Sequence, residues 1–562
     1  MRIVVVGGVA GGMSCAARAR RLDERAEIVV LERGPYVSYA NCGLPYYLGG
    51  EIADQDALLV QTPERLKAAL NLDVRTAHDV IDLNAEAREL TVRTPAGEER
   101  LSYDALVLSP GAQPLTPPIP GLGSSRVHPL RTVPDAVALR ELLEGNVRRA
   151  VVLGAGFIGI ETAEALARQG VETTVVERAD HILPSLDPEQ AWLVAEELLR
   201  LGIAVRADSA AAEIVPGADA DTVVLSDGTR LPAEMIVLAV GVRPDTAVFE
   251  RAGVACERGG IVVDEHGRTS LPGVWAVGDA TVSTDAVTGI RRPVALAGPA
   301  NRAGRLVADD ILRPGMARAI PQPLGTAIVR VGELTVAMTG ANRAALDVAG
   351  LEYRTLHVHP NQHAGYFPGA TQVHLSLHIR AADGLLLGAQ AVGLDGVDKR
   401  IDVLATAIRA GLGVADLIDL DLAYSPPYGQ AKDAINLAGM LGANVLDGTM
   451  TLWDAHDLDI VQAQALVLDV RTDAEVAMGM LPDALHIPHT ELRGRLDEVR
   501  AAAKGRPVRV MCASGVRSAM AHRVLAQAGY DSASLSGGML TLRAVLAGRA
   551  DEVLTVREVE RV

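Results

Sequence analysis

Short apolar runs that end in glycine, each followed by an alanine-rich helical stretch, set the rhythm of this chain. "RIVVVGGVAGGMSCAARARRL" begins as a strand buried on both faces, passes through a glycine turn and continues as a helix. "AEIVVLER" is the next buried strand, closed by Glu32, 20 residues beyond Gly12. The same succession returns at "RAVVLGAGFIGIETAEALARQGVETTVVERAD", where Glu177 follows Gly159 by 18 residues. Strand, turn, helix and strand in register predict an α/β fold with two Rossmann-like dinucleotide-binding domains.

The turns carry candidate chemistry. Gly7, Gly8, Gly11 and Gly12, with Ala10 between them and Val9 at the middle glycine position, let a backbone approach a pyrophosphate at a helix N-terminus. Glu32 then accepts a ribose hydroxyl, with Arg33 beside it. In the second unit Gly154, Gly156 and Gly159 fit G-x-G-x-x-G without exception. An acid at Glu177 favours the free 2′-hydroxyl of NADH over the 2′-phosphate of NADPH, although Arg178 alongside softens that preference. From these loops alone each unit is open to a nicotinamide nucleotide.

Composition narrows the class. With 562 residues, about three or four domains are expected. Hydrophobic residues make up 49% and aromatics only 3%, so the cores must be built from Ala, Val, Leu and Ile. No apolar run is long enough for a membrane span, and the N-terminus lacks the layout of a secretion signal, so a cytoplasmic protein is expected. A formal charge of −17 argues against a nucleic-acid partner. Four widely spaced cysteines, Cys15, Cys42, Cys256 and Cys512, make no disulfide framework.

Two further stretches bring a family into view. "TSLPGVWAVGDA", ending at Gly278 and Asp279, and "YDALVLSPGA" resemble the pyridine nucleotide-disulfide oxidoreductases, as do "AVGVRPDT" with Gly241 and "LAGPANRAGR" with Ala297. The resemblance covers about residues 1 to 440 and implies FAD in the first fold and NAD(P)H, NADH favoured, in the second. It assigns Asp279 to the flavin's ribityl chain. The implied order is FAD-binding domain over 1–112 and 245–320, an inserted NAD(P)H domain over 113–244, and an α+β dimerisation domain over 321–440 in a homodimer.

Within that family "SYANCGLPYYLGG" is specific. Members with a cysteine pair carry C-x-x-x-x-C, but the position five after Cys42 is Tyr47. Ser38, Asn41, Cys42, Pro45 and Tyr46 match S-x-x-N-C-x-x-P-Y of the coenzyme A-disulfide and persulfide reductases. The resemblance implies that Cys42 attacks a sulfur–sulfur bond, that coenzyme A is substrate or bound thiol, and that reduced flavin resolves the mixed disulfide. It further implies roles for Tyr366 and Tyr424 as proton donors in the partner subunit's site, with Tyr428 near coenzyme A. Arg18, Arg21 and Lys67 are candidates for its phosphates. His357, His359, His363, His374 and His378 are read as structural, since no acid or cysteine cluster completes a metal site. An NADH peroxidase or oxidase cycling Cys42 through sulfenic acid is the enzymatic alternative, weakened because relatives of that kind carry histidine where Ala10 stands. A flavin-gated sulfur carrier or redox sensor is the non-turnover alternative.

The texture restarts near residue 456. "ALVLDVRTDAEVAMGMLPDALHIP" and "PVRVMCASGVRSAMAHRVLAQAGY" resemble a rhodanese domain over 456–562, through Asp469, Arg471, Cys512, Gly515, Arg517, Ser518, Gly537 and Gly538. Backbone N–H groups of "CASGVRS" and the following helix would stabilise a persulfide anion, with Arg517 adding a full charge. The C-x4-R loop is one residue shorter than the C-x5-R of phosphatases, which favours sulfur over phosphate. Residues 441–455 are expected to form a tether loose enough for several docking geometries.

Overall fold

The computed structural model describes residues 1–555; the last seven residues of the expected C-terminal domain, 556–562, lie outside the described residues. The chain divides into two compact units. The first comprises residues 1–180 and 198–325, and the second comprises 181–197 and the chain from 326 onward.

Two parallel sheets organise the first unit. In one, the strands run Val274–Ala276, Ala105–Leu108, Arg2–Val6, Glu27–Leu31 and Asp73–Arg75. Val4, Val5, Val29 and Val30 are fully buried, because helices or an antiparallel layer cover both faces. The strand Val274–Ala276 returns to this sheet after the second nucleotide fold has been completed, which places Gly278 and Asp279 at the same carboxyl edge as the first glycine turn. The second sheet runs Ala204–Arg206, Glu172–Val176, Arg149–Leu153, Met235–Leu238 and Val127–Pro129.

The second unit also contains two sheets. An antiparallel one runs Ala327–Val331, Leu334–Gly340, Leu386–Gly393, Val373–Arg380 and Tyr353–Val358. A parallel one runs Leu452–Trp453, Ser532–Leu535, Val508–Met511, Leu466–Asp469 and Leu485–His486. The segment expected as a loose tether is largely folded. Helix Ala434–Leu446, capped by Asp433, buries Ala434, Ile435, Ala438 and Val445 in the antiparallel sheet's core. Its glycines are points of close approach. A Cβ on Gly442 would lie 2.3 Å from Val414, and one on Gly439 2.9 Å from the backbone of Ile418. Strand Leu452–Trp453 already belongs to the C-terminal sheet, so only residues 447–451 connect the two.

Candidate active site

The two glycine turns are built alike. Gly7 and Gly154 have φ of +98° and +99°, a region open to glycine. A Cβ on Gly12 or Gly159 would fall 2.0 Å from the carbonyl oxygen of Gly7 or Gly154, so the helices Ala10–Leu22 and Phe157–Arg168 start hard against their strands. Each turn is closed by its acid. Glu32 accepts the N–H groups of Gly8 and Gly34, both at 2.8 Å, and Glu177 accepts those of Ala155 at 2.7 Å and Ala179 at 2.8 Å. Arg33 is ion-paired with Asp245 and donates to the Pro110 carbonyl. Gly156 and Gly241 face open space where a side chain would begin, which leaves room for a nucleotide. Helix Ala297–Leu312 packs on the first helix at Gly304, where a Cβ would lie 2.1 Å from the Gly11 carbonyl. These cradles fit FAD, held by Gly7 to Gly12, Glu32 and Asp279, and a nicotinamide nucleotide held by Gly154 to Gly159 and Glu177.

Cys42 sits in a single helical turn, Asn41–Gly43, immediately before the short helix Leu44–Leu48. Its segment is fastened to the first glycine turn by Ser38, at φ +45°, whose N–H donates to the Gly8 carbonyl at 2.8 Å. Ser38 therefore acts through its backbone. Asn41 donates from Nδ2 to the Arg131 carbonyl at 3.3 Å. Arg131 in turn donates to Asp279 at 2.8 Å. Tyr46 donates to Glu161 at 3.1 Å. Loss of solvent and the charge of Glu161 push the Cys42 thiol up, Arg131 pulls it down, and Asp279 adds to the rise. Sequence reading missed Arg131 and Glu161. Glu161 had a local signal, since it follows "GAGFIGI" on the helix of the second fingerprint; Arg131 had none.

In the second unit, Tyr366 and Tyr424 meet hydroxyl to hydroxyl at 3.3 Å, though 58 residues separate them. They are 77% and 49% exposed and Tyr428 is 74% exposed, a concentration of surface aromatics. The contact with Tyr424 raises the Tyr366 hydroxyl, which keeps it protonated. Arg400, 1% exposed, ties the two tyrosine segments together. It donates to the Gln362 carbonyl at 2.7 Å and to Asp433 at 3.2 and 2.7 Å, while Gln430 reaches the Asn361 carbonyl at 2.6 Å. The phosphate cluster expected from Arg18, Arg21 and Lys67 is not assembled as three free cations. Arg18 is ion-paired with Asp309 at 2.6 Å, an acceptor 291 residues away, and Lys67 donates to Asn71 one turn on. Arg21 is exposed.

Cys512 follows strand Val508–Met511 and is 1% exposed. The Gly515 N–H points at its Sγ from 3.2 Å, and Ser518 Oγ lies 3.3 Å away with Ser534 donating to it from behind at 2.9 Å. Helix Val516–Gln527 begins at this loop. Both terminal nitrogens of Arg517, expected to add a full charge, engage Glu475 at 2.7 and 2.6 Å, so that charge is shared with an acid of the stretch that follows Asp469 and Arg471. The Arg517 hydrogen bond holds the Glu475 carboxyl down at about 2. Arg471 is likewise held by Asp469. Among the described residues, no group of three or more His, Cys, Asp or Glu is placed to hold a metal ion. All four cysteines are free.

Tandem dinucleotide folds with a single cysteine beside the first glycine turn define a flavin-type pyridine-nucleotide oxidoreductase. The chain belongs to the pyridine nucleotide-disulphide oxidoreductase family, which residues 1–304 match; 326–434 match that family's dimerisation domain and 452–543 a rhodanese-like domain. It is 33% identical over 443 residues to a coenzyme A disulfide reductase of Staphylococcus haemolyticus, covering 78% of this chain and 98% of the relative. The crystal structure of reduced Bacillus anthracis CoADR-RHD is similar at 40% identity and TM-score 0.95, covering 99% of each chain. An NAD-dependent persulfide reductase from A. fulgidus is similar at 37% identity and TM-score 0.91, covering 96% of this chain and all of that one. Among the described residues no helix is long and apolar enough to cross a membrane.

Proposed function

We propose that the protein reduces coenzyme A disulfide and coenzyme A persulfide at the expense of NADH, as a cytoplasmic homodimer. The observation that carries this reading is Cys42, a free cysteine with no second cysteine in its segment, beside the turn that fits FAD. A lone cysteine completes a disulfide reduction only when the substrate brings the other sulfur. The Cys42 thiolate attacks one sulfur, the substrate's S–S bond breaks, and one thiol, or sulfide in the persulfide case, leaves with a proton. FAD, when bound, relays the electron pair from NADH to sulfur. That pair and a second proton break the mixed disulfide, free coenzyme A thiol and restore the Cys42 thiolate, so each turnover consumes one NADH and one proton.

The exposed Tyr366–Tyr424 pair suits the opposite subunit's site in the dimer, where a tyrosine hydroxyl supplies the leaving thiol's proton. Cys512 handles the outer, sulfane sulfur. Its thiolate attacks the terminal sulfur of a small-molecule persulfide or polysulfide, the donor leaves as a thiolate, and the persulfide anion formed lies in the loop's N–H cradle. Coenzyme A thiolate then attacks the outer sulfur, the Cys512 thiolate leaves, and the coenzyme A persulfide passes to Cys42. Support comes from the likeness to a coenzyme A disulfide reductase and an NAD-dependent persulfide reductase and from the pairing of the two cysteine sites in one chain. Steady-state NADH oxidation measured side by side with coenzyme A persulfide, coenzyme A disulfide and hydrogen peroxide tests the reading. The two coenzyme A substrates are expected to turn over fastest; faster peroxide turnover would sink it. Mass spectrometry of the intact protein is expected to show a coenzyme A adduct on Cys42 that reductant removes.

A further inference from the structure

The Cys512 loop does not stand alone. It rests on Gly537 and Gly538, both in left-handed conformation, at φ +68° and +64°. A Cβ on Gly538 would lie 2.6 Å from the Cys512 carbonyl and 2.7 Å from the Gly515 nitrogen, so this turn forms the floor of the cradle. The helix that follows, Gly538–Leu546, donates into the loop from its first turn: Met539 N–H to the Cys512 carbonyl at 2.8 Å and Leu540 N–H to that of Ala513 at 3.0 Å.

The other side of the same turn is held from the antiparallel sheet. A Cβ on Gly537 would lie 2.8 Å from His357 and 2.8 Å from His359. His357 is buried, at 2% exposure, and fully engaged. Its Nε2 is 3.0 Å from Glu189, its Nδ1 is 3.0 Å from Ser536 Oγ, and its backbone N–H donates to that same oxygen at 3.1 Å. With Glu189 as a carboxylate the bond pattern has one solution for a neutral ring: Nε2–H donates to Glu189 and Nδ1 accepts the Ser536 hydroxyl proton. Burial opposes ionisation of Glu189, but His357 and Arg343 outweigh it and hold the carboxyl below its ordinary value. His359 continues the clamp, with Nε2 2.8 Å from Thr541 Oγ and Nδ1 2.9 Å from His374 Nδ1. Burial pushes both imidazoles down, His374 to about 4, so the pair remains neutral and passes one proton's hydrogen bond along it. Asp187, in ion-pair contact with His378 at 2.8 Å, anchors the same layer.

We propose that His357 and His359 are positioning residues for the sulfur chemistry of Cys512. By fixing Ser536 and Thr541 they hold the Gly537–Gly538 turn, and the turn sets where the loop N–H groups point. Neither histidine touches Cys512, and neither has a part in the chemistry of Cys42. The inference rests on the sulfur-carrier reading of Cys512 for its functional consequence, and on geometry alone for its effect on the loop.

The test uses the full-length flavin-loaded chain, with His357→Phe, His359→Phe, Ser536→Ala and the double variant His357→Phe/Ser536→Ala. Losing one buried hydrogen bond in the support should slow NADH-dependent sulfide release from polysulfide in the presence of coenzyme A by about tenfold in kcat, with KM held within about twofold. Reduction of coenzyme A disulfide should stay within about twofold of the parent, and iodoacetamide labelling of Cys512, read by peptide mass spectrometry, should change by about threefold or more. Because His357 and Ser536 act through one bond, the double variant should be no slower than the slower single. Should His357→Phe fail to fold, Ser536→Ala removes the same bond from the other side with a smaller change. Unaltered Cys512 labelling in these variants, additive losses in the double, or equal loss of disulfide reduction would overturn the proposal. Altered labelling in the variants, with no sulfur transfer by the parent protein, would instead sink the carrier reading and leave the clamp standing.

Discussion

Cys42 and Cys512 are both free cysteines beside a glycine-rich turn, yet their surroundings treat sulfur in opposite ways. Around Cys42 the chain supplies acids. Loss of solvent, Glu161 and Asp279 raise the thiol, and Arg131, itself paired with Asp279, is the opposing charge. Cys512 is nearly inaccessible, and what points at it is a backbone N–H and a hydroxyl backed by a second hydroxyl. The Cys42 thiol is set by opposing charges, whereas the Cys512 sulfur lies in a polar cradle of its own. The division of labour proposed for the two cysteines, electron delivery at one and sulfur carriage at the other, rests on what lies within hydrogen-bond reach of each thiol.

The most severe way to break the comparison is Cys42→Ser, which should abolish NADH-dependent reduction of both coenzyme A substrates, a loss of about a thousandfold or more in kcat. Cys512→Ser should cost about tenfold with polysulfide and coenzyme A together and leave coenzyme A disulfide within about twofold, measured in the same NADH assay. Equal losses for the two substrates would mean the cysteines do not divide the work. Gly538→Ala probes the cradle's floor. Its Cβ would collide with the Cys512 loop at a positive φ, and the C-terminal domain should lose about 1–3 kcal/mol in urea unfolding followed by Trp453 fluorescence. The mildest change sharpens the electrostatic contrast. Glu161→Gln removes an acid that raises Cys42, so the alkylation rate of Cys42 against pH should shift to lower pH, by about half a unit. Arg131→Met removes the opposing cation and should shift it upward. Matching shifts at Cys512 would show that the two environments are not independent.

How much of this was legible beforehand differs between the two sites. "NCGLPYY" and "CASGVRS" are local strings, so both cysteines and their loop types could be read directly. The partners could not. Asp279 reaches Arg131 across 148 positions, Tyr366 meets Tyr424 across 58, and His357 meets Ser536 across 179. From its own loop Arg517 reads as a full charge, because its partner Glu475 lies 42 residues upstream. Arg18 was read as a phosphate contact because Asp309 was 291 residues away. The tether expected over 441–455 begins within a helix whose glycines, in "LAGMLGANVL", serve close packing that only the neighbouring side chains reveal.

By itself the sequence determined the two nucleotide folds, the solitary status of Cys42 and the size of the Cys512 loop. Each follows from spacing within about 30 residues, where backbone periodicity and glycine sterics act without outside help. The tertiary structure alone decided which charges neutralise one another, that Arg400 binds the two tyrosine segments, and that two histidines of the antiparallel sheet support the floor under Cys512. Those contacts join residues with no common local pattern, brought within 3 Å or so by the packing of whole layers, and packing is a property of the folded chain rather than of any stretch of it.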